Sequence, residues 1–191
     1  MGRELESKYR ATAAQIAAIR EKYEDFSSIS METSYYDTPS LRLNSLRWTL
    51  RRRLENGRSV CTVKTPAPGG ARGEWERECP SIEEAIPALC ALGAPAELAD
   101  IAREGLILSC GARFTRLAKL LTLEDCSVEL ALDQGVLLGG GREEAFAEVE
   151  VEYKSGNEAA FLAFARLLAA EYGLVPEPAS KVQRARALAN S

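Results

Sequence analysis

Charged residues recur at every second position in several short segments of this chain, and this alternation limits its fold more than any other feature. The clearest example is the segment 148–152, which reads EVEVE. In a β-strand, side chains at positions i and i+2 share one face. We therefore expect Glu148, Glu150 and Glu152 on one face of a strand and the two intervening valines on the other.

Some of the predicted strands carry mainly acidic residues at their charged positions, and others carry mainly basic residues. Glu4 and Glu6 precede Lys8 near the start of the chain, whereas Arg51 and Arg53 form a basic pair. A solvent-facing surface is the simplest explanation for one such strand, but a row of like charges is unfavourable because neighbours repel. Polar faces that converge on one cavity explain the sorting better. An acidic wall would bind metal ions there, and a basic wall would bind phosphates.

The order of the predicted elements indicates a single α+β, mainly β, domain over residues 1–191. About eight short strands are expected, mostly joined by tight turns, which is typical of an antiparallel sheet or barrel. Turns are predicted at Asn56-Gly57, at 133–135 and at 139–141. The last of these lacks the Lys-Ser/Thr ending of a phosphate-binding loop, so we interpret it as a hairpin connection.

Helices are predicted between some of the strands. Ser81 begins one with a capping box that Glu84 completes, and the alanine- and leucine-rich segment 157–172 predicts a packing helix. A final helix is expected over 180–189, and its arginines, Arg184 and Arg186, are predicted to lie on its solvated face.

The composition excludes several kinds of chemistry. The sequence contains no histidine, which removes the commonest general base and most zinc sites. Its five cysteines are scattered without a CxxC pair, so neither a disulfide framework nor a zinc site is indicated. Any catalysis must therefore rest on carboxylates, lysine, arginine and a hard metal ion.

The net charge and the hydropathy of the sequence indicate its cellular location and the classes of partner that it can have. A net charge of −4 disfavours a general nucleic-acid binder. No apolar run approaches the roughly 20 residues needed to cross a bilayer, and the charged N-terminus does not resemble a signal peptide. We expect a cytoplasmic protein without nucleic-acid or membrane partners, either a monomer or a homodimer.

The segment Glu4–Lys8, ELESK, is an ExExK motif that resembles the signature of the CYTH superfamily, the triphosphate tunnel metalloenzymes. Further similarities follow in order along nearly the whole chain: YYDTP at 35–39, LRRR at 50–53, TVK at 62–64, RGEWE at 72–76, Thr115-Arg116, ELALDQG at 129–135, EVEVE at 148–152 and Ser180-Lys181. The strings LRRRLENG and ELALDQG look most like the bacterial inorganic triphosphatase branch, of which this chain would be the catalytic module.

This resemblance implies a closed eight-stranded antiparallel β-barrel, with surrounding helices and a polar interior that forms a tunnel for triphosphate. It implies Mg²⁺ or Mn²⁺ as cofactor, with a catalytic set of Glu4, Glu6, Lys8 and Asp133. The implied metal ligands are Glu4, Glu6, Asp133 and a pair among Glu148, Glu150 and Glu152. The implied phosphate ligands are Lys8, Arg51, Arg53, Lys64, Arg116 and Lys181.

Asp133, with Glu129, would hold a second metal ion or orient the attacking water. Glu74 and Glu76 would instead pair with the basic wall. Whether Glu148 and Glu150 or Glu150 and Glu152 bind metal stays open at this point.

Three functions remain in view. The first is metal-dependent hydrolysis of inorganic triphosphate to pyrophosphate and phosphate. The second is action on an organic triphosphate: hydrolysis of thiamine triphosphate or a nucleotide, or cyclisation of ATP. The third is non-catalytic binding of polyphosphate, which the clustered carboxylates disfavour because they would repel the ligand. Trp48 and Trp75 fall on the outward parity of their strands, so no aromatic cage for an organic group is indicated.

Overall fold

The computed structural model describes residues 5–66 and 72–190. The strands are β1 (Glu6–Arg10), β2 (Ser27–Asp37), β3 (Thr49–Glu55), β4 (Arg58–Pro66), β5 (Arg72–Glu78), β6 (Ile107–Thr122), β7 (Cys126–Gly139), β8 (Arg142–Gly156) and β9 (Val175–Pro176). The helices are α1 (Ala13–Tyr23), α2 (Arg42–Ser45), α3 (Ile82–Ala91), α4 (Glu97–Ala102), α5 (Glu158–Tyr172) and α6 (Lys181–Asn190). None of these helices combines the length and the apolar character that spanning a bilayer requires.

The strands form one sheet in the order β5-β4-β3-β2-β6-β7-β8-β1-β9. Every neighbouring pair in it is antiparallel. The predicted mainly β architecture with an antiparallel sheet is therefore confirmed. Glu6 on β1 and Glu74 on β5 nevertheless line the same cavity, which shows that the sheet curls until its two ends approach each other.

Among the described residues the sheet has nine strands rather than the predicted eight. The additional strand, β9, forms where Val175 and Pro176 pair with Arg10 and Tyr9 on β1. A proline has no N–H to donate to a further strand, so it suits a sheet edge. Within the described residues no ladder joins either β1 or β9 to β5, so the predicted closed barrel is not confirmed.

The strands β6, β7 and β8 form a long meander at the centre of the sheet. The predicted turn at 133–135 is wrong, because β7 continues through these residues and pairs with β6 and β8 on both sides. Gly135 serves close packing instead: a Cβ there would lie 2.1 Å from the carbonyl oxygen of Arg113. The predicted turn at 139–141 is confirmed, and Gly140 and Gly141 have the positive φ angles, +58° and +75°, that a tight hairpin favours.

The predicted alternation within the strands is confirmed by the packing of their outer faces. Val149 and Val151 are fully buried with Leu130 and Leu132 under helices α1 and α5. On the other half of the sheet, β3 and β4 bury a second apolar cluster against α3 and α4, and Trp48 and Trp75 pack against this cluster on the outward side as predicted. Each large buried side chain contributes about 1.5–3 kcal/mol, so the outward apolar faces stabilise the curled sheet.

The inner face of the sheet is divided into an apolar end and a charged end. At the apolar end, Phe114 and Phe146 pack edge to face with ring centroids 5.6 Å apart. Helix α6 lies on them and buries Val182 and Ala185. This helix therefore lies on the concave side of the sheet and brings its first residues, beginning with Lys181, to the charged end.

Candidate active site

A cavity of about 540 Å³ occupies the charged end of the concave face. Strands β1 to β6, strand β8 and the start of α6 contribute to its lining. Nine of the predicted site residues line it: Glu6, Lys8, Arg51, Arg53, Lys64, Arg116, Glu150, Glu152 and Lys181. Tertiary structure thus assembles residues that are up to 175 positions apart, from Glu6 to Lys181.

Three predicted site residues are not among these. Asp133 and Glu148 are fully buried beneath the cavity wall and do not line the cavity. Glu4 lies outside the described residues. The roles predicted for these three side chains stay predictions.

Arg51 and Arg53 form the centre of the basic wall on β3. Arg53 is only 9% exposed, and its Nε donates to Thr33 Oγ1 at 3.0 Å. Its closest carboxylate, Glu55, is 3.9 Å away. Burial, together with the nearby positive charge of Arg51, lowers the pKa of Arg53 to about 10. The buried Nε of Arg51 has no hydrogen-bond partner among the described residues. Two guanidinium groups with unused donors are the arrangement that an anion requires.

The basic wall continues onto β4, where the chain pairs it with carboxylates from β5. Lys64 Nζ lies 3.3 Å from Glu74 Oε1, and Thr62 Oγ1 donates to Glu76 Oε2 at 3.1 Å. The prediction that Glu74 pairs with the basic wall is confirmed. Glu74 holds the lysine within the cavity, where a more negatively charged phosphate could compete for it.

The acidic wall is formed mainly by β1 and β8. Glu6 pairs in register with Glu152, and Lys8 pairs in register with Glu150. Glu152 also accepts a contact from Lys154 at 2.9 Å, while Glu129 on β7 pairs with Glu152 from the other side. Carboxylate oxygens in this density suit Mg²⁺ or Mn²⁺, which prefer hard oxygen ligands and need no histidine.

Beneath this wall lies a second group of carboxylates that could hold a cation. One oxygen each of Asp133, Glu148 and Glu150 lies within 4.8 Å of the others. Arg116 binds Asp133 through Nε at 2.8 Å and through Nη2 at 2.7 Å, and Nη2 also donates to Glu150 at 2.5 Å. Lys181 contacts all three carboxylates.

These cations determine the ionisation of Glu150. Burial alone would raise its pKa, but the positive charges of Lys181 and Arg116, aided by Lys8, hold the pKa of Glu150 well below its usual range. The carboxylates in turn affect Arg116. Burial alone would lower its pKa, but the negative charges of Glu150 and Asp133 more than offset burial and raise the pKa above its ordinary value. Glu150 and Arg116 are therefore both ionised at neutral pH.

Arg184 and Arg186 contradict the prediction that they lie on a solvated helix face. Arg184 Nη1 donates to Glu148 Oε1 at 2.6 Å, and Arg186 Nη2 donates to Asp37 Oδ2 at 3.3 Å. The physical reason is that α6 packs on the concave side of the sheet, where its cations meet buried carboxylates. The spacing of three residues from Lys181 to Arg184, which places both on one helix face, was a signal for the first of these contacts.

The lining contains little that would recognise an organic group. Tyr35 is the one aromatic side chain among the described residues that line the cavity. It is 4% exposed and belongs to the apolar cluster under α6. The arrangement as a whole can bind a compact polyanion between cationic and anionic walls.

Comparisons with known proteins agree with this geometry. An inorganic triphosphatase of Haemophilus influenzae is 28% identical over 159 residues, which make up 82% of this chain and 45% of that protein. The chain thus spans about half the length of this relative.

Two solved structures share the fold over nearly their whole length. A Bacillus halodurans protein provisionally named an adenylate cyclase has a TM-score of 0.66 and 21% identity, with 96% of this chain and 98% of that chain covered. A Hippeastrum protein, described as having a dominant triphosphatase activity, has a TM-score of 0.67 and 18% identity, with 96% and 95% covered.

The model of the CYTH domain matches residues 2–185. This span includes all the strands, the cavity and the first turn of α6, where Lys181 and Arg184 meet the buried carboxylates. It also agrees with the resemblance that the ExExK motif and the later strands indicated. This chain therefore belongs to the CYTH domain family.

Proposed function

We propose that this chain hydrolyses inorganic triphosphate to pyrophosphate and phosphate with the help of Mg²⁺ or Mn²⁺. One observation carries the proposal: the half-buried Arg51, whose buried Nε has no partner among the described residues, and the buried Arg53 share a cavity with the carboxylates of Glu6 and Glu152. A basic wall alone would suit any polyanion. The facing acidic wall suits a polyanion that arrives with a divalent ion.

Phosphate binding in this proposal falls first to Arg51 and Arg53. Their planar guanidinium groups can each donate two parallel hydrogen bonds to a phosphoryl group. Lys64 and Lys8 add point charges from β4 and β1. Arg116 uses Nε and Nη2 on carboxylates, so Nη1 is the nitrogen that we propose for a phosphate contact.

The metal ligands that the geometry favours are Glu6 and Glu152, because they are opposed on paired strands and both line the cavity. A divalent ion bound there supplies charge neutralisation for the phosphate oxygens. Among the three glutamates of 148–152, we therefore propose Glu152 as a ligand with Glu150 beside it, and Glu148 as a buried partner of cations.

The protein's own residues then do three things. The cations hold the triphosphate extended across the cavity, so that its terminal phosphorus faces an attacking water and the bridging oxygen lies opposite. The new P–O bond to water forms as the bond to the bridging oxygen breaks. Arg51 and Arg53 stabilise the negative charge that develops on the departing pyrophosphate. Asp133 contributes indirectly, by orienting Arg116 through its paired hydrogen bonds.

The test is phosphate release from tripolyphosphate, thiamine triphosphate and ATP, each with Mg²⁺, with Mn²⁺ and with a chelator. We expect the fastest release from tripolyphosphate, dependent on a divalent ion. Faster release from thiamine triphosphate or ATP would redirect the proposal to an organic substrate, and formation of cyclic AMP would indicate a cyclase. Absence of phosphate release from all three substrates with either metal would indicate that the protein binds polyphosphate without hydrolysing it.

A further inference from the structure

Six charged side chains form an ion network in and beneath the acidic wall of the cavity, and Arg184 connects it further to Glu144 and Glu177, each at 3.6 Å. Three are carboxylates and three are cations, and each side chain is at most 17% exposed. We call this set the buried ion network; its members are Asp133, Glu148, Glu150, Arg116, Lys181 and Arg184.

All six carboxylate oxygens of this network accept a contact from a cation. Arg116 satisfies Asp133 Oδ1 and Glu150 Oε2, and it shares Asp133 Oδ2 with Lys181. Lys181 satisfies Glu148 Oε2 and Glu150 Oε1, while Arg184 satisfies Glu148 Oε1. Within this set the three negative charges are matched by three positive ones, of which Lys181 supplies the one that contacts all three carboxylates.

Lys181 occupies the centre of the three carboxylates, as a metal ion would. Its Nζ lies 2.9 Å from Asp133 Oδ2, 2.5 Å from Glu148 Oε2 and 2.7 Å from Glu150 Oε1. Nζ donates hydrogen bonds to Glu148 and Glu150 and is in ionic contact with Asp133. The same Nζ lies 5.3 Å from the ring centroid of Phe114 and 5.4 Å from that of Phe146, which favours a cation at this position.

We infer that Lys181 is the built-in counter-cation of the Asp133–Glu148–Glu150 cluster, and that it competes with divalent ions for these carboxylates. This inference rests on the proposed function in so far as the protein encounters divalent ions at the adjacent wall. It assigns Lys181 a positioning role: the residue holds Glu150 in the cavity wall and restricts strong metal binding to Glu6 and Glu152.

The inference can be tested by titrating the protein with Mn²⁺ in the absence of substrate. Electron paramagnetic resonance of the free ion measures how much Mn²⁺ is bound. Lys181→Met removes the charge and keeps the length of the side chain, so the cluster acquires an uncompensated negative charge. We expect Mn²⁺ to bind this variant about tenfold more tightly than the wild type, or at one additional site per chain. Lys181→Gln should behave in the same way. Because its side chain retains an N–H donor, it serves as the test variant if Lys181→Met does not fold.

Three further variants locate the effect. Lys181→Arg keeps the charge, so its Mn²⁺ binding should match the wild type. Arg186→Met removes another cation of α6 that contacts a single buried carboxylate, Asp37, and it should gain no Mn²⁺ binding. Adding Glu148→Gln to Lys181→Met should abolish the gain, because it removes a carboxylate of the cluster.

Unchanged or weaker Mn²⁺ binding in both neutral Lys181 variants would overturn the inference. So would an equal gain in Arg186→Met, or a gain that survives the added Glu148→Gln substitution. The proposed function is tested separately, by tripolyphosphate hydrolysis in the wild type. A protein that hydrolyses no triphosphate can still show the gain in Mn²⁺ binding, and an active enzyme can fail to show it.

Discussion

Glu6 on β1 lies directly opposite Glu152 on β8 in the strand register, and both side chains line the cavity. Like charges on directly opposed positions of a strand pair are destabilising. A divalent ion between the two strands would convert this repulsion into attraction. Metal binding by these two residues, as proposed above, would therefore stabilise the strand pair that forms the acidic wall.

Glu6→Gln should abolish metal-dependent hydrolysis while the fold stays intact. The substitution removes one ligand charge from a polar cavity but introduces no steric change. We also expect Mn²⁺ to raise the thermal unfolding midpoint of the wild type and to raise that of Glu6→Gln much less, because bound ligand stabilises only the state that binds it. Turnover at the wild-type rate in the variant would show that Glu6 is not a metal ligand.

Arg53→Ala should chiefly weaken substrate binding. A lost charge-assisted hydrogen bond costs about 1.5–3 kcal/mol, so we expect KM for tripolyphosphate to rise by roughly 10- to 100-fold. Steady-state kinetics at saturating Mg²⁺ would measure this change. Arg58→Ala is the matched control, because Arg58 is exposed on β4 and pairs with Glu78 outside the cavity. An unchanged KM in Arg53→Ala would mean that Arg53 does not contact the substrate.

Arg184→Met should destabilise the fold. Its partner Glu148 is fully buried, and loss of one partner of a buried ion pair typically costs about 3–5 kcal/mol. Because Lys181 still contacts Glu148, we expect the lower part of that range, about 3 kcal/mol, as the drop in free energy of unfolding by urea. The control is Arg113→Met, which breaks the exposed Arg113–Glu143 pair and should cost less than about 1 kcal/mol. Equal losses in the two variants would contradict the burial argument.

The stability of the protein should fall on acidification, partly through Glu150. The buried ion network holds the pKa of this carboxyl below its usual range in the folded state. A depressed folded-state pKa contributes stability above the unfolded pKa, about 4.3 for glutamate. That stability is lost as pH falls from there towards the folded-state pKa.

Urea unfolding with a chelator present, from pH 7 to pH 3, would measure this dependence. Glu150→Gln cannot titrate at this position, so its stability should decline less steeply below pH 5. A decline as steep as that of the wild type would assign the acid sensitivity to other carboxyls.

Local sequence patterns determined much of this protein. The alternation of 148–152 has a period of two residues, and a strand enforces that period without reference to its neighbours; the structure accordingly places Val149 and Val151 in the outer core. The helix start at Ser81 is likewise local, because its hydroxyl accepts from the backbone N–H of Glu84. The CYTH family membership followed from short motifs that keep their order along the chain. Oligomeric state and closure into a barrel stay predictions.

The partners of the charged side chains were decided only by tertiary structure. Side-chain parity states which face a carboxylate occupies, but not which cation meets it there. Glu148 and Lys181 lie 33 positions apart, and they meet because α6 packs on the concave side of the sheet. For the same reason β7 runs straight through the predicted turn at 133–135, since β6 and β8 pair with it on both sides. Ionic partners and backbone pairing across the sheet depend on long-range packing, which no local period encodes.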